Sequence, residues 1–204
     1  MKSALKNKAK AGRETSRSTA ATAILDIAER LAQTRGYNGF SYADIAAELS
    51  VTKASLHYHF PSKEALGCAL IERYRSAFSG ALRSIDASAS EPGEQLRRYV
   101  GLYDAVMRND RMCLCGKLAA EFSTLPKPMQ AELRQFFDMN EQWLARVLEA
   151  GRRSGAFSFT ESASDRARVI VGALEGAMLV ARSYGDPQRF AAAGEHVLKD
   201  LAAR

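Results

Sequence analysis

The segment 52–60 concentrates side chains that can donate or accept hydrogen bonds. Leu56 and Phe60 lie one helical turn apart, so in a helix they would share the buried side and leave their polar neighbours exposed. Polar groups on such an exposed face can reach base edges in the major groove, whereas lysines bind phosphate and fix the register. The residues predicted to contact DNA are Ser41, Tyr42, Thr52, Lys53, Ser55, His57, Tyr58, His59 and Lys63.

Cysteine is the second residue type with reactive chemistry. Cys113 stands before Leu114, and Lys117 follows one helical turn later, where an ammonium would lower the pKa of the thiol and make it reactive. On a helix, Cys115 would point roughly 200° away from Cys113, which disfavours both a disulfide and a metal chelate. We therefore expect no metal, and Cys113 is either a sensor thiol or a buried structural cysteine.

Beyond Leu70 the chain is rich in aromatic and sulfur-containing side chains. At helical spacing such residues usually form a packed core, although some of them can line a cavity for a small molecule. The candidates for an effector site are Cys113, Lys117, Met107, Phe137 and Trp143.

Two short helices and a tight turn must position the polar segment. Ser41 is predicted to cap the first helix, with Asp44 at the capping-box position, and this helix ends near Ser50. Thr52 caps the second helix. Two capped helices separated by a tight turn predict a helix-turn-helix.

Helical periodicity extends over the rest of the chain, and no stretch alternates with the period of a strand. The sequence therefore predicts an all-α fold with about nine helices: an N-terminal three-helix domain that contains the helix-turn-helix, and a C-terminal helical domain for ligand binding and dimerisation. The expected helices are residues 19–35, 41–50, 52–60, 62–85, 92–108, 112–123, 128–154, 162–184 and 187–202.

Charge and composition restrict the partners and the location. The net charge of +6 is modest, but basic residues predominate before the first helix, so residues 1–17 are predicted to be a disordered basic arm. Such an arm either binds nucleic acid or is a solvated tail. The absence of a long apolar run, together with three cysteines in no framework spacing, predicts a cytoplasmic protein without membrane contact.

The segments Gly36–Ala46 and Val51–Leu66 resemble the signature of the TetR family of regulators nearly throughout. Ser50 stands where a turn glycine is common, and His57 replaces a tyrosine that often touches the DNA backbone in that family. The resemblance covers about residues 19–70. It implies a divergent C-terminal domain whose small-molecule ligand releases DNA, and a homodimer with a four-helix interface.

The segment 112–121 is similar to the corresponding region of electrophile-sensing repressors of the N-ethylmaleimide type. Those repressors retain a cysteine before a leucine and a lysine farther along, and Cys113 and Lys117 fit that pattern.

Near the C-terminus, Gly172, Gly176 and Val180 follow at four-residue spacing, where helix backbones can approach closely. This stripe is either intramolecular core or part of a dimer interface. A two-fold dimer is also what a palindromic operator requires.

These observations favour a sequence-specific regulator of transcription, most simply a repressor released by a small molecule or an electrophile. Its parts would be the arm at 1–17, the DNA-binding domain at 18–66, and the effector-binding and dimerisation domain at 67–204. No cofactor or catalytic residue is predicted. A thiol enzyme centred on Cys113 lacks a convincing base, and a nonspecific DNA-coating protein would rest on the arm alone.

Overall fold

The computed structural model describes the backbone of residues 2–202 and the side chains of residues 18–202. The disordered arm expected at residues 1–17 lies outside the residues whose side chains are described. Within the described part the chain forms nine α-helices, which confirms the predicted all-α class. The helices are α1 (Lys2–Arg35), α2 (Tyr42–Leu49), α3 (Lys53–His59), α4 (Lys63–Ser88), α5 (Pro92–Arg108), α6 (Leu114–Ala119), α7 (Lys127–Ser154), α8 (Ala163–Tyr184) and α9 (Gln188–Leu201), with a 3₁₀ turn at Phe122–Thr124.

Helices α1, α2 and α3 pack around a small apolar core. Leu31 of α1, Ile45 of α2 and Leu56 of α3 are completely buried, so each helix contributes an apolar face. Burial of these faces stabilises the domain, because short helices are marginal in isolation.

The predicted boundaries of α2 and α3 are confirmed by their caps. The Ser41 hydroxyl accepts a hydrogen bond from Ala43 N, and Asp44 accepts one from Ser41 N at 2.8 Å, which completes the capping box. Thr52 accepts from Ser55 N. Ser50 ends α2 with φ of 54°. This is the left-handed conformation, which glycine adopts at lower cost than serine. The conformation explains why a glycine is common at this position in the family signature.

Helix α4 belongs to both halves of the molecule. Near its start it packs on α1, where Arg73 bridges Asp26 at 2.7 Å and Glu29 at 2.5 Å. Farther along, α4 packs on α7 and α5, and α7 in turn packs on α8. Helix α4 therefore contacts both the N-terminal three-helix domain and the helices α5 and α7 of the C-terminal domain.

The expectation for α6 was wrong in its boundaries. A helix was predicted at 112–123, but α6 is only Leu114–Ala119. Cys113, with φ of −48° and ψ of 124°, is the non-helical N-cap. At the other end the chain leaves through the 3₁₀ turn, and Leu125 is extended before Pro126, as steric contact with a proline ring favours.

Over the residues that the structure describes, no helix combines the length and the apolar character needed to cross a bilayer.

Candidate nucleic-acid interface and effector site

The exposed face of α3 carries most of the predicted DNA contacts. Leu56 is fully buried against the core, while Tyr58 on the opposite side is 66% exposed. Thr52, Lys53 and His57 are also exposed, and Ser55 and His59 are half-buried. The ring of His59 lies 5.3 Å from that of Tyr58. The helix therefore presents a polar and aromatic surface to solvent, as the sequence pattern predicted.

A shallow groove of about 320 Å³ runs between α2, α3 and the start of α4. It gathers five of the nine residues predicted to contact DNA, and its basic groups suit a phosphate. The lining residues are Ser41, Tyr42, Ala43, Lys53, His57 and Lys63.

Tyr42 forms a wall of this groove with its hydroxyl already engaged. The hydroxyl donates to Phe60 O at 2.8 Å, and the ring lies 4.7 Å from that of His57. Burial raises the pKa of Tyr42 to about 12. Tyr42 therefore fixes the end of α3 against α2, which is a role that the sequence pattern did not indicate.

Lys63, which was predicted as a DNA contact, is half-buried and already makes contacts within the fold. Its ammonium donates to Tyr37 O at 2.6 Å and to Phe40 O, and it lies over both of their rings. Burial lowers the pKa of Lys63. An ammonium has three N–H groups, so one remains beyond these two carbonyls for a phosphate. Lys63 thus ties the turn between α1 and α2 to the start of α4.

The five effector candidates have different surroundings. Trp143 donates to Asp86 at 3.0 Å, stacks on Tyr99, and lines a surface recess of about 260 Å³. Phe137 packs beside Phe136. Met107 is a buried core residue near the end of α5.

Cys113 lies at the start of α6 and is 1% exposed. Its sulfur accepts a hydrogen bond from Gly116 N at 3.5 Å. Burial, and then the negative charge of Glu175, raise the pKa of this thiol well above its ordinary value. The predicted lowering of the Cys113 pKa by Lys117 is therefore wrong, because burial and a carboxylate outweigh the effect of the half-buried lysine.

Glu175 of α8 is the residue beside Cys113 that sequence reasoning missed. It is 9% exposed, and neither carboxylate oxygen has a hydrogen-bond partner among the described residues. The carboxylate lies directly on Gly116, where a methyl group would sit 1.9 Å from Oε2. Burial raises the pKa of Glu175 to about 7. The sequence could have indicated Glu175, because it is the single acidic residue within the apolar stretch 170–181.

Glu121 connects the far end of α6 to the DNA-binding domain. Its carboxylate accepts hydrogen bonds from Tyr37 N at 3.1 Å, Asn38 N at 2.9 Å and Asn38 Nδ2 at 2.7 Å. It also fills the space beside Gly36, where a methyl group would lie 1.7 Å from Oε1. We call this contact between Glu121 and the turn Gly36–Phe40 the Glu121 clamp. It places the sensor candidate Cys113 and the DNA-binding domain at opposite ends of one short helix.

A capped helix-turn-helix on a larger helical domain defines the class of a transcription regulator. Residues 24–69 match the family described as bacterial regulatory proteins, tetR family, and residues 92–197 match the tetracyclin repressor-like C-terminal domain. The chain belongs to the TetR family and is a DNA-binding regulator of transcription.

Two similar proteins of known name are transcriptional repressors. The chain is 29% identical to the repressor DhaR of Mycobacterium sp. strain GP1 over 71% of this chain and 73% of DhaR. It is 27% identical to the repressor NemR of Escherichia coli K12 over 78% of this chain and 82% of NemR.

Solved structures agree with this assignment. A TetR family regulator from Agrobacterium tumefaciens superposes with a TM-score of 0.89 at 35% identity, over 92% of this chain and 100% of that one. The reduced form of E. coli NemR superposes with a TM-score of 0.78 at 26% identity, over 90% and 97%.

Proposed function

We propose that this chain is a homodimeric repressor that binds a palindromic operator and is released when a small molecule or an electrophile reaches its C-terminal domain. The observation that carries the proposal is the Glu121 clamp, since it joins the effector domain to the DNA-binding domain through hydrogen bonds of 2.7–3.1 Å. The naming of two relatives as repressors supports the direction of control.

The dimer interface is proposed on α8 and α9. Large apolar side chains of α8 remain exposed in the single chain, including Val169, Val180 and Tyr184. Gly172 and Gly176 lie between them with open space above their Cα atoms. Exposed apolar residues that line one helix face favour contact with a second copy, and two-fold symmetry would place two α3 helices on the half-sites of a palindrome.

Release would follow from differential binding. An effector that prefers one spacing of the two DNA-binding domains weakens DNA binding by the same factor by which DNA weakens effector binding. Three contacts can carry this coupling, namely the packing of α6 on α1, the helix α4 and the Glu121 clamp. The last two meet at the same turn, because Lys63 of α4 also donates to carbonyls at Tyr37 and Phe40.

Cys113 is the proposed sensor for electrophiles. A group added to its sulfur would occupy the tightly packed N-cap of α6, and overpacking of a core costs roughly 1–3 kcal/mol. The test measures operator binding after brief treatment with N-ethylmaleimide, using separate serine variants at Cys68, Cys113 and Cys115. Only the Cys113→Ser variant is expected to remain bound to its operator after the treatment. If it releases DNA as the native protein does, the effector is a reversibly bound ligand.

Genome-wide mapping of bound sites tests the regulatory function. A sequence-specific regulator yields a few strong palindromic sites, and unrelated DNA competes poorly in titrations. Equal competition by unrelated DNA would favour a nonspecific DNA-coating protein, and turnover of a thiol-reactive substrate would favour an enzyme. The cytoplasmic location expected from composition stays a prediction.

A further inference from the structure

The strongest unexplained feature of the molecule is the buried carboxylate of Glu175. Both oxygens lack hydrogen-bond partners among the described residues, although burial of an unpaired charge is costly. The carboxylate packs on Gly116, whose N–H donates to the sulfur of Cys113. The side chains of Cys113 and Glu175 also interact with each other, so a proton acceptor and a nucleophile lie together beside the first turn of α6.

The other titratable groups that surround this pair stay uncharged. Tyr74 of α4, Tyr99 and Tyr103 of α5, and Cys115 of α6 face the pair, and burial raises the pKa of each of them. Glu175 is therefore the group of this cluster that ionises near neutral pH. It is also the group in position to accept a proton from Cys113.

We propose that Glu175 is the proton acceptor that activates Cys113 for addition to α,β-unsaturated carbonyl compounds. This inference rests on the proposed function of Cys113 as a sensor and supplies the base that the sequence lacked.

The proposed step balances without a further reactant. As Sγ of Cys113 forms a bond to the β-carbon, its proton passes to the Glu175 carboxylate and the double-bond electrons move to the carbonyl as an enolate. The protonated Glu175 then returns the proton to the α-carbon, which restores the carboxylate and leaves a saturated thioether. Addition suits this site because one group both removes and returns the proton.

The product would act on the DNA-binding domain through α6. A thioether at Cys113 occupies the space where Gly116 and Glu175 are in contact, so α6 has to shift. Just beyond the opposite end of that helix, the Glu121 carboxylate lies 3.1 Å from Tyr37 N and 2.9 Å from Asn38 N. Covalent modification is thereby linked to the position of α1 and α2.

The test measures the rate of N-ethylmaleimide addition to the full-length protein by intact mass. A Cys68→Ser/Cys115→Ser parent restricts labelling to Cys113, and Glu175→Gln is compared with Glu175→Asp in that background. The parent rate is expected to rise between pH 6 and 8, near the pKa of about 7 of Glu175. Glu175→Gln should lower the rate at pH 7.5 at least tenfold and abolish that rise, and Glu175→Asp should retain part of it.

A faster reaction in Glu175→Gln would overturn the proposal. If Glu175 acted only through its negative charge, its removal would favour the thiolate and accelerate labelling. An unchanged rate would overturn it equally. Circular dichroism and operator titration check the fold of each variant, and if Glu175→Gln does not fold, an undiminished rate in Glu175→Asp is the contradicting result.

The outcomes also separate this inference from the proposed function. In one outcome the native protein binds its operator, but Cys113 is not labelled until the protein unfolds. This outcome overturns the inference about Glu175 and leaves the proposed repressor function intact. A protein that is labelled in a Glu175-dependent way yet keeps its DNA supports the chemistry of Glu175 and contradicts the role of Cys113 as a sensor.

Discussion

Lys53 and Lys63 line the same groove, yet their ammonium groups have different surroundings. Lys53 is exposed at the start of α3, whereas Lys63 donates to two backbone carbonyls of the α1–α2 turn. A contribution to DNA affinity is predicted for both. Only Lys63 also stabilises the fold. Variants at the two positions can therefore be compared to separate DNA binding from stability.

Lys63→Met is expected to lower the thermal stability, because its loss leaves the Tyr37 and Phe40 carbonyls unpaired at a cost of about 1–3 kcal/mol. Lys53→Met should leave the melting temperature unchanged. If each lysine contacts a phosphate, either variant should reduce the slope of log K against log salt by about one unit. Equal stability of the two variants would contradict the role of Lys63 in the turn.

Tyr58 is the most exposed aromatic residue of α3 and is predicted to supply operator affinity. Tyr58→Ala should weaken operator binding on the order of 1–3 kcal/mol with little change in the melting temperature. Tyr58→Phe keeps the ring and serves as the control that isolates the hydroxyl. Loss of stability in proportion to binding would show instead that the ring supports the fold.

At the scale of elements, the capping box of α2 makes stability depend on pH. Hydrogen bonds from Ser41 lower the pKa of Asp44 below its ordinary value of 3.8. A lowered pKa in the folded state means that the carboxylate stabilises the protein above pH 3.8, and that this stabilisation is lost as the pH falls through the folded pKa.

Asp44→Ala is therefore expected to melt at a lower temperature than the native protein at pH 7. The difference should shrink as the pH falls below 3.8, where Asp44 becomes protonated in the unfolded state, until the pH passes below the lowered pKa of the folded state. Thermal melting followed by circular dichroism from pH 7 to pH 3 checks this. A difference that is constant over that range would mean that the carboxylate charge is not involved.

The Glu121 clamp is expected to carry part of the coupling between effector and operator. Glu121→Ala removes three hydrogen bonds to the turn, so the effector should release DNA less completely, with a coupling free energy smaller than that of the native protein, for which about 1–3 kcal/mol is usual. Operator titrations with and without effector measure it. Glu149→Ala, which removes an ion pair to Arg152 on α7, is the control. Full release in Glu121→Ala would assign the coupling to α4 and to the packing of α6 on α1.

The sequence predicted correctly those features that depend on interactions between residues close in the chain. The caps at Ser41, Thr52 and Ser62 were recognisable because each hydroxyl bonds to a backbone N–H within three residues. Glu121 and Glu175 were missed because their partners lie far away along the chain, and a carboxylate in a helix ordinarily indicates a solvated face. The extent of α6 failed for a similar reason, since tertiary contacts at Cys113 and Glu121 override the helical propensity of 112–123.

At the scale of the whole molecule, the apolar face of α8 leads to a prediction on assembly. Val180 is 51% exposed and lies near Gly176, so Val180→Asp places a charge in the proposed interface. This variant should sediment as a monomer and bind a palindromic operator much more weakly than the native protein. Ser164→Asp, at the exposed start of α8, is the control. A dimeric Val180→Asp protein would place the interface elsewhere.

The Glu121 clamp also determines how this protein can be recombined with its relatives. A hybrid joined within α4 takes Gly36 and Asn38 from one parent and the residue at 121 from the other. A side chain at position 36 would collide with Glu121, because a methyl group there already lies 1.7 Å from its carboxylate. Such hybrids should fold and bind DNA but fail to respond to the effector. Responsive hybrids should be those in which a glycine at 36, an asparagine at 38 and a glutamate at 121 come from the same parent. The two domains can therefore be exchanged only together with the residues of the clamp.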